Sequence, residues 1–440
     1  MLAPQSPGLL PNGSKAASFL FCTVLFTLSD APLSSAMTAT ERRASASLAA
    51  IFGLRMLGLF LVLPVFALEA GRYPGGDDPA RIGLAMGIYG LTQALFQIPL
   101  GMASDRLGRK RVIIFGLVVF ALGSFVATGA TDLNWLIIGR SLQGAGAISA
   151  AVTALLADAT RDEVRTKAMA LVGATIALMF ALSLVLAPLL AAVVGLNGLF
   201  AMTGLLALAG IALVIWVVPV EASTRVNRPR GSFRAVLRDP ALLRLNLGVF
   251  VLHAVQLAMW LAVPALLVQS GLAQDAHWLV YLPAVLASFL VMGVTLFPLE
   301  RRGYLRAAFL AAVGSILLVQ LGLLWVLTST VPSLAALGAL LFLFFCGFNV
   351  LEASQPSLAS RVAPAHSRGA ALGVYNTLQS LGFFVGGVAG GWLVKTSGAQ
   401  GLFLACAGLM LLWLVVAWPM RAPGRHEAVH PAPVSDSAAV

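Results

Sequence analysis

Charge is what this sequence has least of. Only 10% of its 440 residues are Asp, Glu, Lys or Arg, against about 25% in an ordinary soluble domain. Cysteine is scarce too: Cys22, Cys346 and Cys406 are the three present, and they form neither a disulfide framework nor a metal-ligand spacing. No glycine-rich run ends in the Lys-Ser/Thr of a P-loop, so nucleotide hydrolysis does not drive the protein directly. No hydrolase-like constellation occurs either. The reading is of a non-enzyme without cofactor or metal.

What is abundant is apolar. Hydrophobic residues make up 59% of the chain and mean hydropathy is +0.93, beyond what a soluble globule can bury. Apolar runs of about 20 residues recur, each long enough to cross about 30 Å of hydrocarbon as a helix. Helices are required, because backbone amides in lipid must be satisfied within the segment and the alternating pattern of barrel strands is absent. The fold class expected is an all-α integral membrane protein with twelve transmembrane helices in two six-helix bundles. The spans fall near 48–68, 80–103, 110–130, 133–157, 167–191 and 197–219, then 241–268, 277–298, 304–328, 332–356, 368–393 and 399–420.

The domains follow: a leader over 1–40, a first bundle over 41–220, a basic linker over 221–240, a second bundle over 241–420 and a disordered tail over 421–440. The linker "EASTRVNRPRGSFRAVLRDP" carries a short amphipathic turn around Phe233 to Leu237. The leader resembles a signal peptide. However, its cleavage would place Arg42 and Arg43 on the wrong side, so translation from Met37 is the preferred reading.

Basic residues are concentrated in alternate loops. One set holds Arg42, Arg43, Arg106, Arg109, Arg161, Arg165, Arg301, Arg302, Arg361 and Arg368, whereas the other holds only Arg72, Arg81 and Lys395. By the positive-inside rule the first set and both termini are cytoplasmic. The net charge of +11 then reflects loop topology and anionic headgroups. It does not reflect nucleic acid, which would need one basic face.

The halves look alike. "RTKAMALVG" from Arg165 matches "SRGAALGVY" from Ser367, and "LERRGYLR" from Leu299 is a degraded counterpart of "GMASDRLGRKRV" from Gly101. Duplicated halves around a midplane cavity are a transporter plan.

Charges inside spans are costly, about 2.5–3.5 kcal/mol on a translocon scale, and mark function by default. Glu352 is the acid well inside a span, and His253 lies near the middle of another. Each has two readings: Glu352 carries a proton or pairs with Arg55, and His253 titrates or is a neutral cavity residue. Arg55 can snorkel to the nearby interface. Polar and aromatic candidates for a cavity lining are Tyr89, Gln93, Gln97, Gln143, Gln256, Trp260, Asn349, Tyr375, Asn376 and Gln379. Such a lining suits amphipathic organic compounds, cations among them, while amides can equally hold helices together.

"GMASDRLGRKRV" resembles the loop signature Gly-x-x-x-Asp-Arg-x-Gly-Arg-Lys/Arg of the major facilitator superfamily, matched at Gly101, Asp105, Arg106, Gly108, Arg109 and Lys110. "LRMLGLFLVLPVF", "GIYGLTQALFQIPLG" and "GRSLQGAGAISAAVTALLADATR" are similar to a YajR-type group of bacterial proton-driven drug exporters, over residues 41 to 420. Members of that group continue into a small cytosolic domain, which the last 20 residues here do not resemble. The resemblance implies a monomeric inner-membrane carrier of small molecules and protons. It also implies a latch in which Asp105 caps span eleven near Ser367 and Arg109 pairs with Asp105 and Asp158. Topology alone would explain the basic residues but not Asp105. Arg140, followed by "SLQGAG", resembles a second signature, Arg-x-x-x-Gly; it either tunes a neighbouring acid or binds carbonyls. The fifth-span antiporter pattern is eroded: Pro188 remains, while Ala174, Ser183, Ala187, Ala191 and Ala192 stand where glycines are expected. Export is therefore held against proton-linked uptake and a non-transporting sensor.

Overall fold

The computed structural model describes residues 36–219, 236–364 and 367–420, and these are helices joined by short turns. The greater part of the expected leader, of the linker with its amphipathic turn, and the tail lie outside the described residues.

Helix starts are written in capping residues. Helix α1, Ala39–Ala70, opens behind Thr38, whose hydroxyl accepts from the Glu41 amide while the Glu41 carboxylate accepts from the Thr38 amide, a reciprocal capping box. It therefore begins well before the apolar run near 48. Helices α2, Pro79–Leu107, and α7, Pro240–Gln269, both start at Asp-Pro. Asp78 and Asp239 accept from first-turn amides that have no partner within the helix, and proline supplies a preset φ where no amide is needed. Between α2 and α3, Arg109–Thr128, stands Gly108 alone, with φ +98°. That conformation is open to glycine and strained for other residues.

Span four is not one rod. It divides into α4, Leu133–Ala145, and α5, Ser149–Asp158. The interruption falls where glycines let neighbours come close. A Cβ on Gly144 would lie 2.2 Å from the Tyr89 carbonyl oxygen, and one on Gly146 would lie 2.4 Å from that of Gly116.

Helix α6, Asp162–Trp216, is two crossings, because helical geometry breaks at Gly195 with φ +63°. Its first piece starts beside Arg161, which binds Glu41. Its second piece starts near Asn197, bonded to Tyr73, and ends at Val217 and Val218, whose carbonyls accept from Arg43 and Lys110. The chain therefore goes out and returns. The second half comprises α8, Trp278–Arg301, α9, Leu305–Val326, α10, Leu334–Val362, and α11, Arg368–Ala417. Helix α11 breaks likewise at Gly398, φ +66°, and its return ends at Trp418, whose carbonyl accepts from Arg306 at 2.5 Å. Arg306 thus does for α11 what Lys110 does for α6. Eight described helices are long and apolar enough to cross a membrane, among them 50 residues of α6, Lys167–Trp216, and the 50 of α11. With those two divided, and with α2 and the α4–α5 pair added, the path matches the twelve expected spans. Large apolar side chains such as Val193, Leu290, Val294 and Trp216 face outward, as a lipid-facing surface requires.

The halves meet at the end remote from the arginine-rich loops. There Asp78 binds Lys395 at 2.7 Å, and Gln274 donates to Glu69 at 2.8 Å and accepts from Arg72 at 3.4 Å. Below this the glycines of α2 and α11 bring backbone against backbone. A Cβ on Gly83 would sit 2.2 Å from the Gly387 carbonyl oxygen, and one on Gly87 would sit 2.7 Å from that of Phe384. At the arginine-rich end the glycine face of α11 is bare among the described residues: none of their atoms lies within 4 Å of a Cβ on Gly369 or Gly373.

Candidate functional site

Three clusters gather most of the charged candidates. The first is the loop after α2. Arg109 Nη1 lies 2.5 Å from Asp105 and 2.7 Å from the Ser104 hydroxyl, and its Nε lies 3.3 Å from Asp158 at the end of α5. Gly101 serves close approach, since its Cβ would meet Ala150 at 3.2 Å. Arg106 is exposed. Asp105 does not sit on the start of α11. Its side chain is 55% exposed and its ion-pair partner is Arg109 on the next turn of chain. The physical reason is the parting of the halves at this end, which leaves Ser367 and Gly369 away from α2. Across the pseudo-symmetry the charges are exchanged: Glu300 at the end of α8 pairs with Arg361 near the end of α10, at 2.6 Å.

The second cluster lies inside the C-terminal half. His253 of α7 is buried and Glu352 of α10 is 39% exposed, with 3.4 Å between His253 Nε2 and Glu352 Oε2. His253 Nδ1 lies 2.8 Å from the Val249 carbonyl oxygen, which can only accept, so Nδ1 is the donor and the neutral ring turns Nε2 outward as an acceptor. Gln379 of α11 then donates its amide to Nε2 at 2.7 Å and to Glu352 Oε1 at 3.4 Å. Phe348 and Phe383 close around the imidazole, with ring centroids 6.1 and 4.9 Å away. Glu352 thus faces histidine; no ion pair joins it to Arg55 among the described residues, which corrects that alternative.

The third cluster fills the middle of the N-terminal half. Arg55 of α1 and Arg140 of α4 are 1% and 2% exposed. Arg55 therefore does not reach the surface. It donates to the Tyr89 hydroxyl at 2.8 Å and lies 5.5 Å from the Phe120 ring centroid. Arg140 donates to Gln143 at 3.0 Å and to the Met86 carbonyl at 3.3 Å, with its guanidinium 4.9 Å above the Tyr89 ring.

The remaining candidates divide. Gln93 and Gln97 share a face of α2 and lie 3.5 Å apart. Gln256 and Trp260 line a small aromatic recess with Met259, Phe344 and Phe345. Asn349 is spent on a bond to Ser288 at 2.8 Å. Tyr375 is buried beside Glu352, and Asn376 is half-buried without a side-chain bond to another candidate. Sequence reading missed the closure at the far end. Its signal was present as Gly83-x3-Gly87 in α2 and Gly387-x3-Gly391 in α11, spacing that permits close helix contact. Among the described residues no group of His, Cys, Asp and Glu is placed to hold a metal ion.

Comparison with known proteins agrees with this architecture. The family model described as Major Facilitator Superfamily matches residues 19–387. The chain is 44% identical over 391 residues to the inner membrane transport protein YajR of Escherichia coli (strain K12), covering 88% of this chain and 85% of that protein. It is 27% identical to the multidrug resistance protein MdtH of Aeromonas salmonicida (strain A449), with 84% and 94% covered. Among solved structures, an auto-inhibited peptide transporter of the POT family superposes with a TM-score of 0.71 at 13% identity, covering 89% of this chain and 99% of the other. A point mutant of the nucleoside transporter NupG gives 0.70 at 12% identity, with 85% and 99% covered. Two six-helix halves, a charged loop after the second crossing and this likeness lead to one conclusion: the chain is a membrane transporter belonging to the major facilitator superfamily.

Proposed function

We propose that this transporter exports a small amphipathic organic compound in exchange for protons, by alternating access across a bacterial inner membrane. The observation that carries the reading is the contact between His253 and Glu352. A carboxylate that is part exposed beside a buried imidazole, whose Nε2 would exchange the Gln379 amide for a proton, gives that proton two adjacent resting places. Gln379 ties both to α11, so a proton that changes their hydrogen bonds acts on a helix that joins the halves. Kinship with a multidrug resistance protein and with an inner membrane protein supports the compound class and the location. The mixed amide and aromatic side chains, Gln93, Gln97, Gln256 and Trp260, support an amphipathic substrate.

In this reading the protein works as a monomer, with the arginine-rich loops and both chain ends in the cytoplasm. The conformation described is then closed toward the outside, with the loop after α2 released from α11. In the opposite conformation Asp105 engages the start of α11, where the helix dipole favours a carboxylate by about 0.3–2 kcal/mol, while Arg109 bridges Asp105 and Asp158.

Inverted vesicles carrying the protein, preloaded with acid by respiration, should release protons on addition of a transported compound. Glu352→Gln should abolish that release while leaving the folded protein in the membrane. Undiminished release in Glu352→Gln would remove the proton role from this site.

A further inference from the structure

Two guanidinium groups stand at the middle of the N-terminal half with no carboxylate paired to either among the described residues. Arginine does not shed its proton to escape burial, and an uncompensated buried charge is among the costliest features a fold can carry. The hydrogen-bond inventory around them is one-sided. Arg55 Nε and Nη1 and Arg140 Nε are buried without a partner among the described residues. Tyr89 accepts from Arg55 at 2.8 Å, which leaves its own hydroxyl proton to donate. Two turns along the same helix, Gln97 Nε2 is also buried without a partner. Every unsatisfied group named here is a donor. The C-terminal half differs, because its orphans include the acceptors Gln256 Oε1, Gln320 Oε1 and Gln355 Oε1. A set of donors with surplus positive charge is better matched by an anion than by a neutral acceptor, because only an anion satisfies the bonds and offsets the charge together.

We infer that the cluster centred on Tyr89 is a binding site for a monovalent anionic group, a carboxylate or a halide, held by Arg55 and Arg140 with the tyrosine hydroxyl as third donor. Phe120 and the Tyr89 ring supply the faces on which the guanidinium groups rest, so the site offers rigid planar donors in a water-poor environment. There a charge-assisted hydrogen bond is at its strongest. The site is separate from the His253–Glu352 pair, and its occupancy does not depend on whether that pair carries protons.

The test uses the full-length protein purified in non-ionic detergent. Its unfolding temperature is followed while sodium benzoate, sodium chloride or neutral benzamide is titrated in, with ionic strength balanced by a bulky buffer sulfonate. Benzoate or chloride should raise the midpoint in a saturable manner, and benzamide should not. Arg55→Gln and Arg140→Gln should each weaken the response about tenfold or more, the scale expected for a buried charged hydrogen bond. Arg302→Gln, on an exposed loop residue, should leave it unchanged. A stronger response to benzoate identifies an organic carboxylate as occupant, and a response to chloride alone identifies an inorganic counter-ion. If the arginine variants fail to fold, Tyr89→Phe keeps both charges and the ring and should still weaken the response severalfold. No response to either anion, or one that survives these substitutions, overturns the site.

Discussion

At the scale of single residues, Glu41 is held in a pair at the arginine-rich end, whereas Arg55 and Arg140, deep in the N-terminal half, have no acid beside them among the described residues. Glu41 lies outside the apolar span. Arg161 reaches it with bonds of 2.9 and 3.1 Å, and the amides of Thr38 and Arg161 add 2.8 and 3.0 Å contacts. The Arg161 side chain first, then the Thr38 and Arg161 backbone, hold the Glu41 carboxyl down to about 2 from its ordinary 4.5. A folded-state value below the unfolded one means the stabilisation is complete above about pH 4.5 and is lost as pH falls toward 2. Glu41→Gln should therefore lower stability at neutral pH by about 1 kcal/mol, because the half-exposed Arg161 is screened by water. The difference between the two proteins should narrow as the medium is acidified below about pH 4.5, which thermal unfolding across a pH series will show. His253 and Arg55 illustrate what a sequence hides about a residue. Both stood out as costly charges within spans, yet the partner of each lies on another helix, 99 residues from His253 in the case of Glu352.

At the scale of helices, caps and glycines do the positioning. Asp-Pro starts, the Thr38 capping box and the lone Gly108 between α2 and α3 are local devices, visible in the chain because each acts within one turn. The break between α4 and α5 was not visible, because it depends on the neighbours that Gly144 and Gly146 admit. The packing of α2 on α11 is of that tertiary kind too. With a hypothetical Cβ on Gly387 only 2.5 Å from the Gly83 carbonyl oxygen and 2.7 Å from Gly87, backbone must move to accept any side chain. Gly387→Val is expected to force the helices apart at the closed end. Cysteines placed at Asp78 and Lys395, whose side-chain tips now meet at 2.7 Å, should be bridged readily by a short bifunctional thiol reagent in the parent and at least severalfold less in the valine variant. An unchanged yield would show that this face does not hold the closure.

At the scale of the whole molecule, two similar halves are pinned at one end and parted at the other. The pins are Asp78 with Lys395, and Gln274 with Glu69 and Arg72. Lys395 also holds the Asp78 carboxyl below its usual range, aided by the amide of Ala80. Alternating access requires these to break while contacts form at the arginine-rich end, and Asp105 is the group proposed to make them. Asp105→Asn should shift the population toward the conformation described here. Spin labels or fluorophores on the first turn of α11 and the last turn of α2 would report the change as a loss of short distances. If both transport and that distance distribution stay as in the parent, Asp105 has no such part.

By itself the sequence determined that the chain lies in lipid as helices and which family it belongs to, and it pointed to two similar halves. These follow from apolar run length, backbone satisfaction and short-range motifs, all of which act along the chain. Tertiary structure alone decided which end is closed, that Glu352 meets His253 instead of Arg55, and that two arginines share one tyrosine without an acid between them. Those outcomes turn on approaches between residues far apart in sequence, where a few ångströms of helix separation set the partner.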